Sequence, residues 1–448
     1  MSRFDIYARR VRVLSGDYLL PGVHLTPFAS AYLATLRRPL LPGLQKIRIN
    51  RLYEDQREII LLLYSAKLKI VKLYIRDEGG DKDGHMMGTF LQSLRACAGD
   101  ETHGLKKLCI TPTAHRTHVD FIAKFDMLQD VNLGFGDRTT GEQLVEGFSK
   151  ISALNRMSRL RVNWEADSGH HSLISPLLPP HSVNFISLHS IKIMAPTYIA
   201  LLLVQCLRAD TLKSIQIDCL LSPVNQPTAP RRLVKECGLV APGLKEVGLQ
   251  FHTDQPADQA TFDAVLDLTQ HFHLRTLKLK WAGPEIDDDN INRACLSRCF
   301  SHLEVLHLAT CRPVPHTTLA FQILRSLATY CPFLKDLNLT LAVEEQHLLL
   351  LMKEIENEYS LSHGLKRLAI RLEDKPETAT FLANGESIPV VSLYLDSLFP
   401  SLDHCLIYGP CPSHVLEKGI RLILKGLQRR SIVDSRRLVG SQVTSLQD

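Results

Sequence analysis

A six-residue phrase with apolar residues at its first, fourth and sixth positions returns about every thirty residues along this 448-residue chain. Its plainest copies are LKKLCI at 105–110 and LRTLKL at 274–279. Read along the chain, the phrase opens at Leu44, Ile70, Leu105, Leu128, Met157, Val183, Leu212, Leu244, Leu274, Leu303, Leu334, Leu365 and Leu402, at intervals of 23 to 37 residues. Val183 and Leu402 open the weakest copies. Few folds accommodate such a pattern. Each unit is too short to bury its own apolar side, so it needs a neighbour on which to stack.

The last two apolar positions of each phrase are two residues apart. In a strand they enter the same core, while the residues around them face the other way. Between phrases the apolar spacing turns helical, as at Phe90, Leu91, Leu94 and Cys97; Leu144, Phe148 and Ile151; Phe262, Val265, Leu266 and Leu268; and Leu319, Ile323, Leu324 and Leu327. A strand, a helix and two short loops fill about thirty residues. The fold predicted is α/β: a leucine-rich repeat solenoid, or horseshoe, with a parallel inner sheet and outer helices.

An unbroken repeat overrides the division into several domains that length alone suggests. Residues 44–413 read as one solenoid and residues 1–43 as an N-terminal capping or partial repeat. In the latter, Val11, Val13 and Leu14 form an edge strand, and Thr26 and Pro27 start a helix that runs to about residue 38. Residues 414–430 read as a C-terminal capping helix, with Leu416, Ile420, Ile423, Leu424 and Leu427 on one face, and 431–448 as a disordered tail.

The formal charge of +5 is mild for this length, and no long basic run occurs, so nucleic acid is not an expected ligand. Eleven irregularly spaced cysteines, among them Cys109, Cys219 and Cys405 in or beside strand phrases, suggest reduced thiols and a cytoplasmic or nuclear setting. Residues 2–12 lack an apolar leader, and the longest uncharged stretch, 193–207, is short and contains Pro196. No membrane crossing is expected.

Three phrases carry a family resemblance. Residues 3–12 (RFDIYARRVR) resemble a phrase that follows the F-box and its linker in a large family of basidiomycete fungal F-box proteins. Residues 40–47 (LLPGLQKI) and 330–337 (YCPFLKDL) are similar to that family's repeat starts. The similarity spans nearly the whole chain. It implies a substrate-recognition subunit of a Skp/cullin/F-box ubiquitin ligase whose repeats hold the protein substrate. The Skp adaptor would be a partner only through an F-box, which would be expected upstream of Met1. Without that link, the chain reads as a stand-alone binding or inhibitory scaffold.

Outward strand positions define the surface on which such a protein binds. Eleven are basic: Lys46, Arg48, Lys72, Arg76, Lys107, Arg159, Arg161, Lys278, Lys280, Arg367 and Arg371. Four are acidic, namely Asp130, Asp218, Glu246 and Asp336, and Tyr74, His307 and Tyr408 offer amphipathic contacts. That excess fits an acidic or phosphorylated protein partner. Arg48, Lys72, Arg76, Lys107, Arg159 and Arg161 stand out as near neighbours.

Other clusters read as structural. Cys295, Cys299, His302, His307 and Cys311 fall on a helix, a turn and a strand, and so diverge. The run Asp287, Asp288 and Asp289 suits a helix N-terminus. His115 with His118 and His170 with His171 lack a nucleophile or carboxylate at a useful spacing, and Gly134-Phe135-Gly136 lacks the third glycine of a dinucleotide loop. No enzyme activity, metal or cofactor is expected.

Overall fold

The computed structural model describes residues 3–18, 39–52, 60–75, 85–97, 104–111, 116–136, 141–165, 182–220, 228–252, 259–272, 274–281, 286–310, 319–341, 361, 363–372 and 387–408, with single residues 351, 353, 355 and 425. The chain packs as two compact units, one comprising Met1–Val224 and Lys235–Leu244, the other Asn225–Val234 and Lys245–Asp448. Both alternate strand and helix in a solenoid-like α/β stack, with fourteen strands in the main parallel ladders and two in a side ladder among the described residues.

In the first unit, helix α1 (Arg3–Arg10) precedes β1 (Val13–Tyr18), β2 (Lys46–Leu52) and β3 (Ile70–Ile75). Then follow α2 (His85–Ala96), β4 (Lys107–Thr111), α3 (Arg116–Ile122), β5 (Asp130–Gly136), α4 (Gly141–Ser152) and β6 (Arg159–Glu165). Next come β7 (Val183–Asn184), β8 (Ser190–Pro196), α5 (Thr197–Cys206), β9 (Leu207–Arg208) and β10 (Ser214–Leu220). Eight of these strands pair in the order β1-β2-β3-β4-β5-β6-β8-β10, while β7 and β9 form a separate two-stranded ladder.

Helix α6 (Ala229–Val240) has residues in both units. The second unit contains β11 (Glu246–Phe251), α7 (Gln259–Phe272), β12 (Thr276–Trp281), α8 (Asp288–Leu296), β13 (Val305–Thr310), α9 (Ile323–Tyr330), β14 (Asp336–Leu341), β15 (Arg367–Leu372), α10 (Ser387–Leu398) and β16 (His404–Tyr408). Its six strands pair in chain order.

A tight turn starts most repeats. The amide of the opening residue closes onto the carbonyl three residues earlier: Leu44 on Leu41, Leu128 on Phe125, Met157 on Leu154, Leu303 on Phe300 and Leu334 on Cys331. Pro42, Pro242, Pro332 and Pro400 occupy the second position of such turns, where their fixed φ is already correct. This is the physical content of the Cys-Pro-x-Leu phrase. At β15 a side chain takes over: Leu365 N donates to His363 Nδ1 at 3.1 Å, and the buried ring's Nε2 donates to Cys331 O at 2.7 Å.

Two sequence-based registers are corrected. The second phrase opens at Leu68, not Ile70, because Ile70 pairs with Lys46, the residue two beyond Leu44. Leu68, Val71 and Leu73 are the buried set. The sixth phrase opens at Leu188, not Val183: Ile191 and Ile193 enter the core from β8, whose Ser190 pairs with Arg159 and Ser214. Val183 and Phe185 are also buried, so an apolar count alone could not separate the side ladder from the main one.

The expected helical faces form as read. Phe90, Leu91 and Leu94 on α2, Leu144, Phe148 and Ile151 on α4, Phe262, Val265, Leu266 and Leu268 on α7, and Ile323, Leu324 and Leu327 on α9 are all buried. Cys97 lies just past α2 and is half-buried, and Leu319 is buried just ahead of α9. Each large aliphatic contributes about 1.5–3 kcal/mol. In the first unit Phe135 stacks with Phe148 and Trp164, and Phe148 meets Phe185 edge-on at 6.3 Å, tying successive repeats together. The anticipated edge strand is β1, which runs parallel to β2. The helix expected at 26–38, the capping helix at 414–430 apart from Lys425, and the tail lie outside the described residues.

Replacing His363 with alanine removes one donor and one acceptor from a buried turn. We expect a loss of about 2–4 kcal/mol, read from the urea midpoint at unchanged m. Gly43 offers a second test, because an added Cβ would clash with the backbone carbonyl of Arg9, whereas Gly104 has nothing within 4 Å. Gly43→Ala should lower stability by about 1–3 kcal/mol while Gly104→Ala does not, in paired thermal melts.

Candidate functional site

Parallel pairing in register lines up the side chains on the sheet face opposite the core into rows that cross the strands. In the first unit the central row reads Ser15, Arg48, Lys72, Cys109, Asn132, Arg161, Lys192 and Gln216 from β1 to β10. On one side lie Lys46, Ile70, Lys107, Asp130, Arg159, Ser190 and Ser214; on the other, Asn50, Tyr74, Gly134, Asn163, Met194 and Asp218. Seven cations thus face two carboxylates among the described side chains of this face. Lys107 is paired with Asp130. Among the described residues, Arg48, Lys72, Arg161 and Lys192 have no ion-pair partner.

The charges act on one another. Burial holds Lys72 below the ordinary lysine range, and Lys107, Arg48 and Lys46 push it down further, against a smaller opposing influence from Cys109. Burial raises the Tyr74 hydroxyl pKa, as does its hydrogen bond with the Cys109 thiol, while Arg48 and Arg161 act the other way and favour the ionised form. A short polar ladder runs between the cations. Asn163 Nδ2 donates to Asn132 Oδ1 at 3.2 Å, Asn132 Nδ2 donates to Cys109 Sγ at 3.1 Å, and Arg48 is steered by a 3.3 Å hydrogen bond from Nε to Asn50 Oδ1.

The second unit presents Lys278 and Lys280 on β12 and Arg367 and Arg371 on β15. Its charges are better matched. Asp336 on β14 accepts from Arg367 Nη2 at 3.2 Å and lies 3.2 Å from His307 Nε2. The His307 pKa is lowered chiefly by burial, with Lys278 and Arg367 adding to the effect and Asp336 opposing it. Tyr408 is exposed on the last strand.

Structure thus brings together Lys46, Arg48, Lys72, Tyr74, Lys107, Arg159 and Arg161 on one face of the first unit. Arg76 lies outside the described residues. Sequence reasoning missed Lys192, because the sixth phrase was opened too early; Leu188, Ile191 and Ile193 were the signal that would have found it. It also missed Cys109, Asn132 and Asn163, whose outward positions follow from Leu108, Ile110, Val131, Leu133 and Val162.

The other clusters resolve into local roles. Asp287 Oδ1 accepts from Asn290 N at 2.7 Å and caps α8, whereas Asp288 Oδ1 accepts from Ala320 N at 3.1 Å and ties α8 to the next repeat. Cys295 is buried beside Cys331 and hydrogen-bonded to it, which with burial raises the Cys331 thiol. Cys299 Sγ lies 3.2 Å from Ser297 Oγ, and His302 is exposed. No three His, Cys, Asp or Glu side chains among the described residues come together as metal ligands. His118 is buried on α3, Gly134 and Gly136 belong to β5, and His115, His170, His171 and Cys311 lie outside the described residues. No described helix is long and apolar enough to cross a membrane.

Neither a family model nor a curated protein matches this chain.

Burial, more than the neighbouring Asp287 and Asp289, raises Asp288 from 3.8 to about 6. The folded chain therefore keeps this proton to a higher pH than the unfolded chain. Stability falls as pH rises from about 4 to about 6 and stays lower above that. Asp288→Asn keeps an acceptor for Ala320 N and should stabilise the protein at pH 7 by on the order of 1 kcal/mol, after allowance for solvent screening. At pH 3.5 the two proteins should melt together; an equal gain at both pH values would mean that the charge is not the cause.

Proposed function

We propose that this chain is a protein-binding repeat scaffold of the leucine-rich type, and that the basic strand face of its first unit takes an acidic protein segment. The observation that carries the reading is the central row, where Arg48, Lys72, Arg161 and Lys192 stand without an ion-pair partner among the described residues on a rigid ladder. Rigid parallel strands hold these cations in fixed register, so an incoming anion does not have to order the surface. Charge-assisted hydrogen bonds and long-range steering favour acidic partners over neutral ones.

The resemblance of residues 3–12, 40–47 and 330–337 to fungal F-box proteins supports a more specific form of this reading, in which the scaffold recruits substrates for a Skp/cullin/F-box ubiquitin ligase. A stand-alone binding or inhibitory scaffold is the alternative. Co-purification of a Skp adaptor with the product of the whole gene separates the two: its presence supports the ligase form, and its absence leaves the scaffold alone. Neither form calls on catalytic chemistry, a metal or a cofactor.

Changing Arg48, Lys72, Arg161 and Lys192 together to glutamate should weaken binding to poly-glutamate more than about tenfold with little change in melting temperature. The matched pair Lys278→Glu and Lys280→Glu serves as the control. Undiminished binding in the quadruple variant would reject the first unit's face as the binding surface.

A further inference from the structure

Within the first unit's basic face, side-chain length changes abruptly from strand to strand. Strands β4 and β5 present short or absent side chains in the central row and the row beside Tyr74: Cys109, Asn132 and Gly134. On one flank stand Arg48, Lys72 and Tyr74 from β2 and β3, and on the other Arg161 and Asn163 from β6. From β3 to β6 is three strand spacings, about 14 Å at the backbone, and from β2, which carries Arg48, four, about 19 Å. Side chains as long as lysine and arginine can therefore reach inward over the gap from both flanks.

The floor of this gap is polar and held in place. Asn163 donates to Asn132, Asn132 donates to Cys109, and Cys109, only 3 % exposed, also shares a hydrogen bond with Tyr74. The Lys107–Asp130 ion pair lies along one side in the adjacent row.

We propose that this gap is a socket for one phosphate monoester, carried on a phosphorylated serine or threonine of the bound protein and gripped by Arg48 and Lys72 from one flank and Arg161 from the other. The inference rests on the acidic-partner reading above and sharpens it. Three cations on two flanks match a compact dianion, and planar guanidinium groups hold phosphate oxygens in pairs, which a lone carboxylate exploits less fully. A uniformly charged polymer such as polyphosphate or nucleic acid fits less well. It would need a free cation on each strand it crosses, yet in the central row the middle strands offer neutral Cys109 and Asn132, and the Lys107 cation beside them is already paired with Asp130.

The test uses the full chain and fluorescent degenerate nonapeptide pools with a fixed central phosphoserine, glutamate or serine, read by anisotropy. The phosphoserine pool should bind at least about tenfold more tightly than the serine pool, and clearly more tightly than the glutamate pool. Arg161→Gln alone, and Arg48→Gln with Lys72→Gln, should each remove most of that advantage, and unchanged thermal melts would show both variants folded. Lys278→Gln with Lys280→Gln should retain it. Inorganic phosphate at millimolar concentration should compete.

Equal binding of the phosphoserine and glutamate pools, both lost in Arg161→Gln, would overturn the phosphate assignment and leave the acidic-partner reading standing. Equal loss in the Lys278 and Lys280 control would show general charge attraction in place of a socket. Binding of inorganic phosphate without preference for the phosphoserine pool would overturn the protein-borne source. If no pool binds, and the glutamate quadruple variant keeps its poly-glutamate binding, both readings fall.

Discussion

Everything in this molecule depends on how each strand is tied to the one before it. The residue ahead of each strand offers one carbonyl to two successive amides of the next repeat: Gln45 O to Lys69 and Ile70, Lys69 O to Lys106 and Lys107, Lys106 O to Gln129 and Asp130, Gln129 O to Ser158 and Arg159. The same device recurs in the second unit, from Lys245 O to Arg275 and Thr276 through Lys366 O to Asp403 and His404. A slip of one residue would send every core leucine to the solvent face, so burial and this shared carbonyl enforce the same register. The turn that precedes it, closed by a backbone hydrogen bond and often shaped by proline, delivers the opening leucine to the core just before the strand starts.

With the register held, the opposite face becomes a grid in which charges cannot drift apart. That explains the contrast between the units. In the second, Asp336 sits between His307 and Arg367, pairing with the Arg367 guanidinium while burial keeps the His307 ring toward its neutral form. In the first, Asp130 meets Lys107, and Arg48, Lys72, Arg161 and Lys192 are left without a described counter-ion. Burial together with neighbouring cations holds the Lys72 pKa down, so its charged form is disfavoured by the fold itself. A surface of this kind gives up a little stability.

Much of the fold was legible from spacing. Eleven of the thirteen openings stand where the apolar count placed them, and the helical faces at Phe90, Leu144, Phe262 and Ile323 are the buried ones. The two that moved have a common cause. Around Ile70 and Val183 the chain contains more apolar residues than one phrase needs, so two frames satisfied the pattern. Backbone pairing, which a string of residues does not display, chose between them. The error at Val183 then hid Lys192 from the candidate site. His363 was invisible for a different reason: its role replaces a turn with a side chain, and it shows only once Cys331 and Leu365 are seen around one ring.

By itself, the sequence determined that the chain stacks strand and helix in short units, that Ile47, Leu73, Leu108, Val131 and Leu160 point inward, and that the residues between them carry a basic excess. Periodicity suffices for that, because a strand's alternation is a local property. Only the tertiary structure decided which outward residues become neighbours. Arg48 stands beside Lys72 and Arg161 beside Lys192, with the short side chains of Cys109 and Asn132 between the pairs, because parallel pairing brings together residues 23 to 37 positions apart in the chain. The strength of that arrangement lies in its register, and register is a relation between strands that no single strand contains.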